Sequence, residues 1–148
     1  VPNARMVVVG DGPARAGLAG SHPDVHFAGM QTGLPLAEHY ASADIFAFPS
    51  LSETFGNVTL EAMASGLAVV AFDYAAAREH IVDGQNGRTL DSADADGFIA
   101  TVAELAGQPD EVSRLASAAR ATALDIDWSN VCLRYEMLLR KSLEAIHD

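Results

Sequence analysis

Two glutamates, Glu53 and Glu61, flank a glycine and an asparagine, Gly56 and Asn57, in the run PSLSETFGNVTLEAMASGLAVVAFD from Pro49 to Asp73. The pattern predicts that a helix begins at this Gly-Asn pair. A helix start offers backbone N–H groups without intrahelical partners and the positive end of the helix dipole, which together suit an anion. Glu61 falls one turn after Asn57, on the same helix face. Its neighbours are Val58, Leu60, Ala62, Met63 and Ala64, so Glu61 is the only ionisable residue of that helix. A carboxylate in so apolar a helix is costly unless donors reach it. Sugar hydroxyls are suitable donors, because one carboxylate can accept two of them. An anion at the helix start beside a polyol held by Glu61 describes a nucleoside diphosphate. A buried helix with one satisfied core glutamate and one solvent glutamate would show the same spacing, so the surrounding elements have to decide.

Those elements follow from periodicity and punctuation. Strands are expected at Arg5–Val9, Val25–Ala28, Ile45–Phe48, Leu67–Phe72 and Gly87–Leu90. Gly10-Asp11-Gly12-Pro13 is a turn, followed by a short helix to about Ala19. Further helices are expected at Pro35–Ser42, with Pro35 in the first turn, at Gly56–Ser65 with Gly66 as its C-terminal cap, and at Ala76–Val82. Three more close the chain, over Ala93–Ala106, Asp110–Ala123 and Ser129–Ile146. Leu67–Phe72 is apolar throughout, as a strand buried on both faces should be. Strands alternating with helices predict an α/β fold, a Rossmann-like parallel sheet flanked by helices. Ligands of such sheets bind beyond the carboxyl ends of the strands. The Gly10–Pro13 turn, Gly29-Met30 and Ser50–Gly56 all lie at such ends, so three loops are expected to converge on one site.

Composition limits the alternatives. The 148 residues are enough for one domain with its own core, and 49% of them are hydrophobic. Nine basic residues against 20 acidic ones give a net charge of -11, which argues against a broad nucleic-acid or anionic-membrane footprint. An anionic ligand must therefore be held by local geometry. The single cysteine, Cys132, excludes an internal disulfide framework and fits a reducing compartment. The histidines His22, His26, His39, His80 and His147 have no metal-cluster spacing and read as surface or packing residues. Gly10-Asp11-Gly12 opens like a dinucleotide fingerprint, but its third glycine position holds Arg15. Neither a nucleophile elbow nor a Walker loop is present. On the last helix, Val131, Tyr135, Leu138, Leu139, Leu143 and Ile146 form a stripe expected to face the core, with Trp128 as an anchor before it.

The runs ADIFAFPS (residues 43–50), ETFGN (53–57) and LEAMASG (60–66), with Gly10–Pro13 and Asp83-Gly84-Gln85-Asn86-Gly87 in the same order, resemble the retaining glycosyltransferases of family 4. The resemblance covers nearly the whole chain. It implies that residues 1–148 form the C-terminal, donor-nucleotide-binding domain of a two-domain GT-B enzyme, cut short at its N-terminus and without its acceptor domain. By that resemblance Glu61 accepts both ribose hydroxyls, and the backbone of Gly56, Asn57 and Val58 meets the diphosphate. Glu53 is the catalytic-site carboxylate touching the transferred hexose, with Thr54 and Phe55 lining that pocket. Met30 and Gln31 meet the nucleobase through their backbone, and Gly12 lies near the phosphates or sugar. The implied reaction transfers a hexose from a UDP- or GDP-sugar to a glycan or lipid acceptor with retention, and it uses neither a metal nor a cofactor. A nucleotide-sugar epimerase domain and a non-catalytic nucleotide-binding or scaffolding domain are the alternatives.

The chain departs from the family pattern in places. The arginine and lysine that face the diphosphate in the family precede the segment where this chain starts, and neither Arg5 nor Arg15 matches them. Ala68 replaces a proline, and Ala75-Ala76-Ala77-Arg78 replaces a glycine pair before Glu79. The isolated chain is therefore expected to bind a donor weakly and not to turn over. The further expectations are a cytoplasmic location, peripheral association of the parent protein with the cytoplasmic membrane face, and homo-association of the isolated chain through the last helix or the face meant for the missing domain.

Overall fold

The computed structural model describes residues 4–53, 56–126 and 128–147, and the side chains of residues 128 and 144–147 lie outside that description. Strands β1 (Val7–Val9), β2 (His26–Gly29), β3 (Ile45–Phe48), β4 (Ala68–Phe72) and β5 (Arg88–Leu90) alternate with helices α1 (Arg15–Ser21), α2 (Gly33–Ala41), α3 (Asn57–Ala64) and α4 (Ala75–His80). Helices α5 (Ala95–Leu105), α6 (Pro109–Leu124) and α7 (Trp128–His147) follow. Each expected element is present, with ends shifted by a residue or two. No helix among the described residues is long and apolar enough to cross a membrane.

All strand pairs are parallel, but they form two pieces. β1 pairs with β2, and β3–β4–β5 form a separate three-stranded sheet. β4 is buried along its whole length. Its Val69 and Ala71 join Ala62 and Met63 of α3, Ala77 of α4, Ile81 and Ala119 of α6 in one cluster. Ala68, Val70 and Phe72 point the other way and pack with Phe98 and Leu105 of α5 and Leu115 of α6. The alternation of a strand thus feeds two cores at once. The Phe72 and Phe98 rings meet at 5.1 Å.

The last helix corrects the expectation of a core-facing stripe. Val131, Tyr135, Leu138, Leu139 and Leu143 are all exposed, and the side chain of Ile146 lies outside the described residues. The reason lies in β4, whose two faces are already taken by the helices before α7. Among the described residues, neither core cluster contains a residue of α7.

The Asp83–Gly87 loop serves packing. Asn86 is buried, accepts from the Val82 N–H at 2.7 Å and donates to His80 O at 3.0 Å and Thr122 Oγ1 at 2.9 Å. Asp83 Oδ1 accepts from Arg88 Nε and from the Thr89 N–H, which fixes the entry to β5. A side chain at Gly87 would meet Ile81 Cγ2 at 2.8 Å and Val69 O at 3.0 Å, so the loop can lie against β4 only with glycine there.

Candidate functional site

The chain leaves β3 at Phe48 and enters α3 through Gly56, whose φ of 69° and ψ of 14° are left-handed. Glycine adopts this conformation without steric cost. Gly56 is also required by its surroundings, since an added Cβ would collide with Ala76 Cβ and lie 3.3 Å from Glu53 Oε2. No side chain caps α3. Its first bonds run from the Thr59 and Leu60 N–H groups to Gly56 O, so the amides before them belong to the donor set that a helix start leaves without intrahelical partners. At the other end Gly66 N–H donates to Met63 O and Leu67 N–H to Ala62 O, closing the helix and turning the chain directly into β4.

Glu53 is half-buried beside this helix start. Its Oε2 accepts from the Ala76 N–H at 3.2 Å, and its Oε1 is buried with no partner among the described residues. A buried carboxylate oxygen left unpaired is costly, and a ligand hydroxyl would relieve that cost. The first turn of α4 therefore holds Glu53 against α3. Ala75, the first residue of that turn, has φ 46° and is the positive-φ non-glycine residue of the described chain. It stands where the sequence expectation placed an absent glycine. Arg78 on α4 is tied to Asp73 at the end of β4, through Nε to Oδ1 at 3.2 Å and Nη2 to the carbonyl at 2.6 Å.

Glu61 is exposed, which corrects the expectation that its apolar helix would make it costly. The apolar residues Ala62 and Met63 turn inward to the core, and Glu61 shares the outer face with exposed Asn57. A donor nevertheless reaches it. Tyr40 Oη, from α2, donates to Glu61 Oε2 at 3.3 Å. Burial pushes the Tyr40 phenol up to about 12, with the Glu61 charge and hydrogen bond adding to the shift. Neither the Tyr40 contact nor the Ala76 contact to Glu53 was read from the sequence. Both partners lie far along the chain, 21 and 23 residues away, and no local pattern marks them.

The other expected site residues form a second group at the ends of β1 and β2, which are joined there by the Gly10 N–H to Gly29 O bond at 2.8 Å. Gly12 N–H donates to Asp11 Oδ1 at 2.8 Å. Met30 is exposed, and Gln31 Nε2 donates to Ala28 O at 2.7 Å. Arg15 donates to Phe27 O and packs on Gly29, so it serves the strand pair. A hollow of about 360 Å³ lies here, lined by Asp11, Gly12, Pro13, Arg15, Ala16 and Ala19. All three expected loops do follow strand ends. Among the described residues no hydrogen bond or ion pair joins the Gly12 and Met30 loops to the Glu53–Glu61 segment. Val58 is half-buried in the first turn of α3, and Thr54 and Phe55 lie outside the described residues.

Known proteins are similar to this chain in sequence and in fold. The family described as "Glycosyl transferases group 1" matches residues 1–108. The GDP-mannose-dependent alpha-mannosyltransferase of Mycobacterium tuberculosis (strain CDC 1551 / Oshkosh) is 40% identical over 129 residues, covering 86% of this chain and 33% of that protein. The sulfoquinovosyl transferase SQD2 of Arabidopsis thaliana is 35% identical over 134 residues, covering 86% of this chain and 26% of that protein. The chain thus spans about a third or less of these relatives. Among solved structures, the sucrose-phosphate synthase from Thermosynechococcus elongatus superposes with a TM-score of 0.79 at 23% identity, over 98% of this chain and 40% of that one. Anabaena HepE in complex with UDP superposes at 0.70 and 26% identity, over 95% of this chain and 42% of that one. The chain belongs to the group 1 glycosyltransferases, and its α/β fold fits the C-terminal domain of the GT-B architecture.

Proposed function

We propose that this chain is the donor-nucleotide domain of a retaining hexosyltransferase that moves a sugar from a GDP- or UDP-sugar to a glycan or lipid acceptor. The observation that carries the reading is the start of α3. A helix end without a side-chain cap lies between a half-buried glutamate, one of whose oxygens is unpaired among the described residues, and an exposed glutamate one turn along the helix. The backbone N–H groups of Gly56, Asn57 and Val58 receive the diphosphate and stabilise the charge that builds on it as the sugar leaves. Glu61 accepts the ribose hydroxyls, and Glu53 accepts from the hexose through the oxygen not held by Ala76. Thr54 and Phe55 line the hexose pocket, Met30 and Gln31 meet the base through their backbone, and Gly12 approaches the phosphates or sugar. The name of the 40%-identical mycobacterial relative puts GDP-mannose first among donors.

The helix dipole contributes about 0.3–1 kcal/mol to an exposed anion, against a net charge of -11. Binding to this chain alone is therefore weak, and turnover waits on the acceptor domain and further cations. Calorimetric titration with GDP, UDP and ADP, repeated on Glu61→Ala, tests the reading. The expected result is binding of one nucleotide at millimolar concentration, lost in the variant. Equal binding by Glu61→Ala, or no binding of any nucleotide, would overturn it.

A further inference from the structure

We propose that Tyr40 is a positioning residue for the nucleotide, setting the Glu61 carboxylate to receive the ribose diol; this rests on the reading of Glu61 given above. Glu61 is exposed on an outer helix face, where a long side chain samples several rotamers and must lose that freedom on binding. Tyr40 is better anchored. Its ring packs against the core cluster built around Ala62 and Met63 and meets the Phe46 ring at 5.8 Å with a 55° tilt. Phe46 is in turn stacked on Phe48 at 5.5 Å. The phenol oxygen is thus the tip of a packed aromatic row, and it donates to Glu61 Oε2 at 3.3 Å.

A bond of that length is longer than a well-formed O–H···O bond. It restrains the carboxylate without saturating it. The remaining lone pairs of Oε2 and all those of Oε1 stay available, enough for two incoming hydroxyls. Tyr40 is protonated throughout the physiological range, since burial and the neighbouring Glu61 raise its phenol to about 12. It is therefore always a donor to the carboxylate. This preorganisation acts through Glu61 and should be visible only for ligands that use Glu61.

The test compares the full 148-residue chain with Tyr40→Phe, which keeps the ring and its packing. Calorimetry is run with GDP and UDP and with their 2′,3′-dideoxy counterparts. Tyr40→Phe is expected to weaken the ribonucleotide about threefold to tenfold, the net worth of one ordinary hydrogen bond, as suits a contact of 3.3 Å, and to leave the dideoxy ligand unchanged. In a Glu61→Ala background it should have no further effect. Equal weakening of both ligands would mean that Tyr40 only supports the fold, and unchanged ribonucleotide binding would mean that it does nothing for the site. Either outcome overturns the proposal while leaving Glu61 in place. An unsubstituted chain that does not distinguish ribose from dideoxyribose would overturn the Glu61 reading, and this proposal with it.

Discussion

Gly56, which lies against Ala76, and Ala75, the residue before Ala76, hold conformations that suit opposite substitutions. Ala75 holds a left-handed φ of 46°, which costs an L-residue about 1–2 kcal/mol. Ala75→Gly removes that strain and adds about 0.4–1 kcal/mol of unfolded-state freedom. The net is a stability equal to the parent or up to about 1.6 kcal/mol higher, whereas Ala→Gly in an ordinary helix costs about 1 kcal/mol. Gly56→Ala meets both a left-handed φ and the Ala76 methyl, and is expected to lose about 2–5 kcal/mol. Urea denaturation of the two variants reads both signs, and a destabilised Ala75→Gly would refute the strain. The Gly56 position was legible from sequence because a glycine at a helix start between two acids has few other uses. The groups that grip those acids were not, because Tyr40 and Ala76 reach them only through tertiary packing.

At the scale of elements, the Asp83–Gly87 loop shows how a family-like motif can serve the scaffold. Asn86 closes three hydrogen bonds that tie the end of α4, the start of the loop and α6 together. Asn86→Ala would take the side-chain partner from the Val82 N–H and the His80 carbonyl, in two part-buried hydrogen bonds. Each such group costs about 1–3 kcal/mol, so the variant should lose about 2–4 kcal/mol and show a lower urea midpoint. A loss below about 0.5 kcal/mol would show that water replaces the side chain. Nucleotide affinity of the folded fraction should not change, because among the described residues no hydrogen bond or ion pair joins the loop to either glutamate. Strand and helix positions were legible here because turns rich in glycine and proline separate clean periodic runs. The division of the sheet was not, because periodicity says which residues form a strand and nothing about which strand lies beside it.

At the scale of the whole molecule, stability is unevenly distributed, and α7 lies at its edge. Among the described residues, the two core clusters are built on β4 by α3, α4, α5 and α6, with no contribution from α7. The apolar stripe of α7 was legible as a stripe. Its burial was not, because amphipathic spacing shows that a face needs cover without showing where the cover comes from. A helix with Leu138 64% exposed and Leu143 60% exposed adds little to the fold. Shortening the chain to residue 126 should therefore leave the unfolding free energy within about 0.5 kcal/mol of the parent, as for other surface changes. The same change removes a row of exposed apolar side chains, so any concentration-dependent association of the parent in light scattering should fall with it. A drop of more than about 2 kcal/mol on shortening would mean that α7 folds back onto the core in solution. Unchanged stability would instead confine the fold, and the glutamates it positions, to the elements up to α6.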